Sequence, residues 1–202
     1  MRLRWGGEHS YTKAMAGKVS GVLVTLISVA AGIGGALVMA NWLFATAPLT
    51  TAIQQFFRLG FGAGALHVTA AVMLMSAYRR RMGGNAAWAI VTAAMAAALV
   101  GVGALWLAGF DIAAQPLGIV PIPQGPIPIV AALASVAIGI AGFSTLLRPG
   151  WKWPLLAAGA VLIAVALLFM SAAIRPSNIL LLLLGIGYLL AGAEEHQGVP
   201  EY

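Results

Sequence analysis

The sequence predicts an all-α integral membrane protein, a bundle of about six transmembrane helices with both chain ends in the cytoplasm (N-in/C-in). Composition is the first reason: 61% of the 202 residues are hydrophobic and 8% are charged, whereas a soluble domain carries about 25% charged residues. Spacing is the second, because long uncharged stretches separate the charges and about 20 apolar residues cross a bilayer. The placement of lysine and arginine is the third, and it predicts the orientation.

Six stretches have the length and apolar character of a transmembrane helix. They cover about residues 19–44, 55–78, 86–109, 127–147, 154–174 and 177–193. A basic cytoplasmic arm, residues 1–18, precedes the first span; a proline-rich outer loop, residues 111–128, precedes the fourth; and a cytoplasmic tail, residues 194–202, follows the last. We expect the first span to be retained, because its apolar run is longer than the hydrophobic region of a cleavable signal peptide.

Lysine and arginine are distributed unevenly between the two predicted faces. With the N-terminus inside, nine of the eleven basic residues fall on the inner side, and only Arg58 and Arg175 fall on the outer side. Cytoplasmic loops are enriched in these residues, so we expect an integral protein of a prokaryotic cytoplasmic (inner) membrane. The net charge of +6 does not indicate a nucleic-acid partner, because the charges lie at the ends of apolar stretches and form no single basic patch.

The predicted second helix carries the residues of greatest functional interest. Pro48 suits a first helical position, so we expect this helix to begin there. A helix of that length exceeds the hydrocarbon core, so either its first turns lie in the outer interface or Gly60, Gly62 and Gly64 bend it. At 100° per residue, one side of the helix is a mildly polar stripe made up of Thr51, Arg58, Thr69 and Ser76. The opposite side presents His67 among glycine and alanine, within the segment GFGAGALHVTAA.

An ionisable side chain inside a membrane is a functional hypothesis by default. One interpretation of His67 is structural, because a hydroxyl or carbonyl of a neighbouring helix satisfies a neutral imidazole. The other is an axial ligand to a haem or a chlorophyll-type macrocycle, since a flat ring fits a wall of small residues. The Ala63-x-x-x-His67 spacing resembles that of light-harvesting antenna helices. No metal site is predicted, because zinc takes three or four ligands and His9 and His196 lie in the terminal segments.

Five prolines follow the third span, at positions 116, 121, 123, 126 and 128. Each proline removes a backbone donor and disfavours helix in the residue before it, so we expect an extended or polyproline-like chain whose backbone does not hydrogen-bond to itself. Backbone of this kind is not left facing lipid. We therefore expect the loop to pack across the outer face, against other helices or a partner protein. The alternative is a re-entrant loop that lines a pore.

The sequence shows no catalytic set, since the buried candidates for acid–base chemistry are His67 and Tyr188. Three functions remain open. The first is a non-catalytic accessory subunit of a larger, energy-transducing complex, respiratory or photosynthetic. It would bind other membrane subunits or its own copies, lipid or quinone through small-residue faces such as GVGA. The second is a channel or uncoupled transporter for a small neutral solute along the polar stripe. The third is haem or chlorophyll-type cofactor binding through His67.

Overall fold

Six helices make up most of the chain that the computed structural model describes, which is residues 7–43, 61–115, 118–121, 126–172 and 174–194. In chain order, α1 to α6 are Gly7–Leu43, Phe61–Arg81, Ala86–Leu107, Pro126–Leu147, Trp153–Ala172 and Pro176–Ala193. Two short strands, β1 (Phe110–Gln115) and β2 (Gly118–Pro121), lie between α3 and α4. The described chain is therefore a helical bundle with one small β hairpin.

Five of the helices are long and apolar enough to cross a membrane, namely α1, α3, α4, α5 and α6. The described side chains of α2 begin at Ala63, include His67 and end in three consecutive arginines. The prediction of a helical membrane protein is confirmed in this coarser form: six spans are predicted, and five described helices meet the requirement by length and composition.

Proline and glycine mark several helix boundaries. Pro126 begins α4 and Pro176 begins α6, each one residue before the predicted span, because the first turn of a helix needs no backbone donor from proline. Gly83, with φ of 88°, turns the chain between α2 and α3 in a conformation that glycine adopts without steric cost. The first helix begins at Gly7, so residues 7–18 of the predicted basic arm are helical and continuous with the first span.

The chain between α3 and α4 differs from the prediction. β1 and β2 pair antiparallel, with Asp111 opposite Val120 and Phe110 opposite Pro121. The expectation of extended chain without its own backbone pairing is therefore wrong for these strands. The physical reason is that β1 contains no proline and Pro121 ends β2, where a missing donor interrupts no inner rung of the ladder. β1 contacts α2 and α3, so the hairpin packs on helices, as the sequence predicted for the loop.

The second helix lies at the centre of the bundle. It contacts α1, α3, α4 and α6, and α6 also contacts α1, which brings the first and last helices together. The inward side of α2 is almost fully buried and includes Leu66, Ala70, Met73, Leu74 and Ala77. A Cβ added to Gly17 of α1 would lie 3.4 Å from Oε2 of Glu194, so the start of α1 and the end of α6 lie at the same end of the bundle.

Candidate functional site

His67 contacts its own helix α2 through one ring nitrogen and the first turn of α6 through the other. Nδ1 lies 2.7 Å from the carbonyl oxygen of Ala63, and Nε2 lies 3.1 Å from the carbonyl oxygen of Ser177. Only 5% of the side chain is exposed. Because carbonyl oxygens only accept hydrogen bonds, the neutral ring donates to one of them and the imidazolium donates to both. The imidazolium, or the neutral ring with its proton on Nε2, therefore links α2 to the backbone of α6.

This geometry bears directly on the cofactor hypothesis. A haem or chlorin takes the lone pair of a histidine ring nitrogen as its axial ligand, and the macrocycle needs a free surface beside that ring. Here α1 fills the small-residue face: a Cβ added to Gly35 would lie 2.6 Å from the carbonyl oxygen of Gly64 and 2.9 Å from Cβ of His67. A macrocycle would have to displace α1 as well as one carbonyl partner, so the geometry favours the structural interpretation of His67.

The polar stripe predicted on α2 is described only in its second half, since Thr51 and Arg58 lie outside the described residues, as does the start predicted at Pro48. Thr69 Oγ1 donates to the carbonyl oxygen of Ala65 at 2.8 Å. Ser76 Oγ donates to the carbonyl oxygen three residues earlier at 3.0 Å, and this side chain is fully buried. Because both hydroxyls are bonded to their own helix, the described half of the stripe offers no free donors to a passing solute.

Tyr188 forms a second link between α6 and α2. Its side chain is fully buried, and its hydroxyl donates to the carbonyl oxygen of Ala70 at 2.8 Å. Tyr188 follows Ser177 by three helical turns, so the two contacts link α2 and α6 at separate levels: His67 reaches the backbone of α6, and Tyr188 reaches the backbone of α2. The two side chains that the sequence offers for acid–base chemistry, His67 and Tyr188, are thus both engaged in helix packing.

A polar cluster lies where the first and last helices meet. Nη1 of Arg81 donates to the carbonyl oxygens of Ala191 at 2.8 Å and Gly192 at 2.6 Å, and Ser20 Oγ donates to Glu194. The last carbonyls of a helix lack intrahelical donors, and a cation also complements the helix dipole there. Burial lowers the pKa of the Arg81 guanidinium and the charge of Glu194 raises it, while arginine stays protonated throughout. The cluster therefore fixes the end of α6 to α2.

Sequence reasoning missed this cluster because it treated the three arginines at the end of α2 only as determinants of orientation. Successive residues point 100° apart on a helix, so the three arginines differ in burial: Arg79 is exposed, Arg80 is partly buried and Arg81 is buried. The helix rotation that selects Arg81 depends on packing. A signal was nevertheless present, since Glu194 directly follows the last apolar span.

The outward side of α3 is a stripe of small residues. Its members are exposed and spaced as one helical face, and they are Ala94, Ala97, Gly101 and Ala104. A Cβ added to Gly101 would meet no atom within 4 Å in the part of the chain that the structure describes. Gly103, two residues later, faces inward, where an added Cβ would lie 2.8 Å from the carbonyl oxygen of Ala132 in α4. The GVGA segment thus contains one packed glycine and one open glycine.

Among the described residues, no three acidic or histidine side chains come together as a ligand set, and the side chains of His9 and His196 lie outside them. No protein-family model matches the chain, and comparison with curated proteins and with solved structures found no match.

Proposed function

We propose that this chain is a non-catalytic subunit of a larger membrane complex and that it docks through the outward face of α3 against a partner's helix. The observation that carries the proposal is the exposed stripe of Ala94, Ala97, Gly101 and Ala104. In membranes, small residues let two helix backbones approach closely, and packing of this kind drives helix association. An energy-transducing complex is the setting that the sequence predicts.

The glycines inside the bundle illustrate what a small-residue face does when it is paired. Gly35 of α1 meets Gly64 of α2, and Gly159 of α5 meets Gly185 of α6, with added Cβ atoms 2.6 to 3.0 Å from the facing carbonyl oxygen. Among the helical glycines whose surroundings the structure describes, only Gly101 has no atom within 4 Å of its added Cβ. The same kind of contact surface is therefore present on α3 without a partner from the described chain.

The exposure of α3 supports the same conclusion. Only 22% of this helix is buried, against 33 to 50% for the other four apolar helices. Exposed positions on α5 carry both large side chains, such as Leu167 and Leu168, each 54% exposed, and alanines. Alanine and glycine in the middle of α3 offer lipid little apolar surface but allow a second helix to pack at close range.

The proposal that the subunit is non-catalytic is supported by the engagement of His67 and Tyr188 with backbone carbonyls. We also propose that the end of the bundle carrying Arg81 and Glu194 is cytoplasmic. The support for this orientation is the excess of basic residues on that side, since cytoplasmic loops are enriched in lysine and arginine.

Site-specific photo-crosslinking tests the docking face, and the absence of cysteine in the chain allows a single label. Gly101→Cys, labelled with benzophenone maleimide in native membranes and illuminated, should give an adduct with a different membrane protein. The matched control is Leu168→Cys, which places the same label at an exposed position on α5 and should give adducts with lipid only.

Three outcomes contradict the proposal. Equal protein adducts at both positions would show that crosslinking reports only proximity in the membrane. No protein adduct at position 101 would remove the docking face. An adduct made only of two copies of this chain would indicate a homo-oligomer and overturn the assignment as a subunit of a larger complex.

A further inference from the structure

A groove runs along the outer surface between α1 and α2, starting at the basic end of the bundle. Its first part has a volume of about 320 Å³ and its lining includes Lys18, Gly21, Val22, Thr25, Tyr78 and Arg79. A second part, of about 200 Å³, lies further along the same pair of helices. Its lining includes Val29, Val72 and Met75, together with Trp88 of α3.

Helical geometry shows that these two cavities belong to one groove. At 100° per residue, Val22, Thr25 and Val29 all lie within about 40° of Lys18 on α1. On α2, Met75 and Val72 lie within about 40° of Arg79 in the same way. The two walls therefore run parallel to the helix axes. From position 18 to position 29 they extend about 16 Å at 1.5 Å per residue.

The mouth of the groove is positively charged. Lys18 and Arg79 are both exposed there. The one carboxylate among the described side chains, that of Glu194, accepts a hydrogen bond from Ser20, which lies about 160° around α1 from Lys18. A Cβ added to Gly17, which also lines the mouth, would lie 3.4 Å from Oε2 of Glu194. This carboxylate therefore lies at the mouth as well, and the two cations leave the mouth with a net positive charge.

Beyond its mouth the groove is apolar. Val22 is 58% exposed and Val29 is 51% exposed, so the wall is open to the surroundings of the bundle. Thr25 contributes its methyl group, because its hydroxyl donates to the carbonyl oxygen of Gly21 at 2.8 Å. Gly21 also lets α2 approach closely, since an added Cβ would lie 2.8 Å from the hydroxyl oxygen of Tyr78.

We infer that this groove binds an anionic phospholipid, with the phosphate between Lys18 and Arg79 and one acyl chain along the apolar walls. Charge complementarity selects the headgroup, as in basic pockets between transmembrane helices that bind anionic lipid. The apolar length of the groove selects a lipid over a free anion, because a phosphate ion would leave the walls beyond Thr25 empty.

The test is native mass spectrometry of the full-length protein in mild detergent with equal amounts of phosphatidylglycerol and phosphatidylcholine. The wild type should retain phosphatidylglycerol preferentially. Each cation near a headgroup contributes roughly a fivefold change in affinity, so the variant Lys18→Ala/Arg79→Ala should bind phosphatidylglycerol about 25-fold more weakly. Val22→Trp, which fills the groove and keeps both charges, should also lose the lipid.

The matched control is Arg148→Ala/Lys152→Ala, which removes the same charge from exposed positions outside the groove and should leave lipid binding within about twofold. An equal loss in this control would mean general surface attraction and would overturn the site. Equal retention of both lipids by the wild type would overturn the assigned headgroup. Displacement of phosphatidylglycerol by inorganic phosphate at the same concentration would overturn the role of the acyl chain. Retention of no lipid by the wild type would refute the inference.

Discussion

Replacing Gly103 of α3 with alanine should destabilise the protein, whereas the same replacement at Gly101, two residues away, should not. An alanine Cβ at Gly103 would lie 2.8 Å from the carbonyl oxygen of Ala132 and 2.7 Å from Cγ2 of Val136. The backbone oxygen cannot move aside without shifting α4. At Gly101 the added Cβ meets no atom within 4 Å.

The difference between the two variants isolates the cost of packing. Each replacement gains the higher helix propensity of alanine, about 0.5–1 kcal/mol relative to glycine, and this gain cancels in the comparison. Overpacking a tight contact by one methyl group costs about 1–3 kcal/mol. The free energy of unfolding of Gly103→Ala should therefore lie about 1–3 kcal/mol below that of Gly101→Ala, and Gly101→Ala should equal or exceed the wild type.

Reversible unfolding in mixed micelles measures this difference. Far-ultraviolet circular dichroism, followed against the mole fraction of dodecyl sulfate, gives the free energy of unfolding of both variants and the wild type under one condition. If the two variants are equally stable, α3 does not pack against α4 through Gly103. If Gly101→Ala is the less stable one in purified protein, the outward assignment of Gly101 is wrong.

Three further substitutions test the links between helices. His67→Ala should lower the free energy of unfolding by about 1–2 kcal/mol through loss of the hydrogen bond to α6. It should also leave the absorption spectrum of material from native membranes unchanged, and a visible band that disappears with His67 would contradict the structural role. Tyr188→Phe should lower the free energy of unfolding by about 0.5–1.5 kcal/mol, because the carbonyl oxygen of Ala70 loses its side-chain donor. An unchanged unfolding curve would argue against this hydrogen bond. Arg81→Ala should lower the free energy of unfolding by about 2–3 kcal/mol, whereas Arg79→Ala, at an exposed position, should change it by no more than about 0.5 kcal/mol. Equal unfolding midpoints for the two variants would contradict the buried position of Arg81.

The helix boundaries were largely accessible from sequence because charges and prolines mark them. Predicted spans 86–109, 127–147, 154–174 and 177–193 begin within one residue of α3 to α6, since each apolar run starts next to a proline, a turn or a basic residue. The hairpin was not accessible by the same reasoning. Counting prolines predicted chain without backbone pairing, but β1 contains none, and strand pairing depends on which positions face each other.

The partners of the buried polar side chains were beyond sequence reasoning for a different reason. His67 was identified as a buried group needing a hydroxyl or carbonyl, and the structure gives it two carbonyl oxygens. That one of them belongs to Ser177, 110 residues later, follows from how α2 and α6 meet. The role of Arg81 likewise depends on the rotation of α2, which a single sequence does not specify.

The mass and protein composition of the particle that mild detergent releases from native membranes test the central claim most directly. We expect the wild-type chain to emerge with at least one different membrane protein. Gly101→Leu, whose Cβ meets no atom of the described residues within 4 Å, should remain folded yet emerge alone. A wild-type chain that emerges alone or as a symmetric homo-oligomer would contradict the subunit assignment, and a Gly101→Leu chain still in the complex would contradict the docking face.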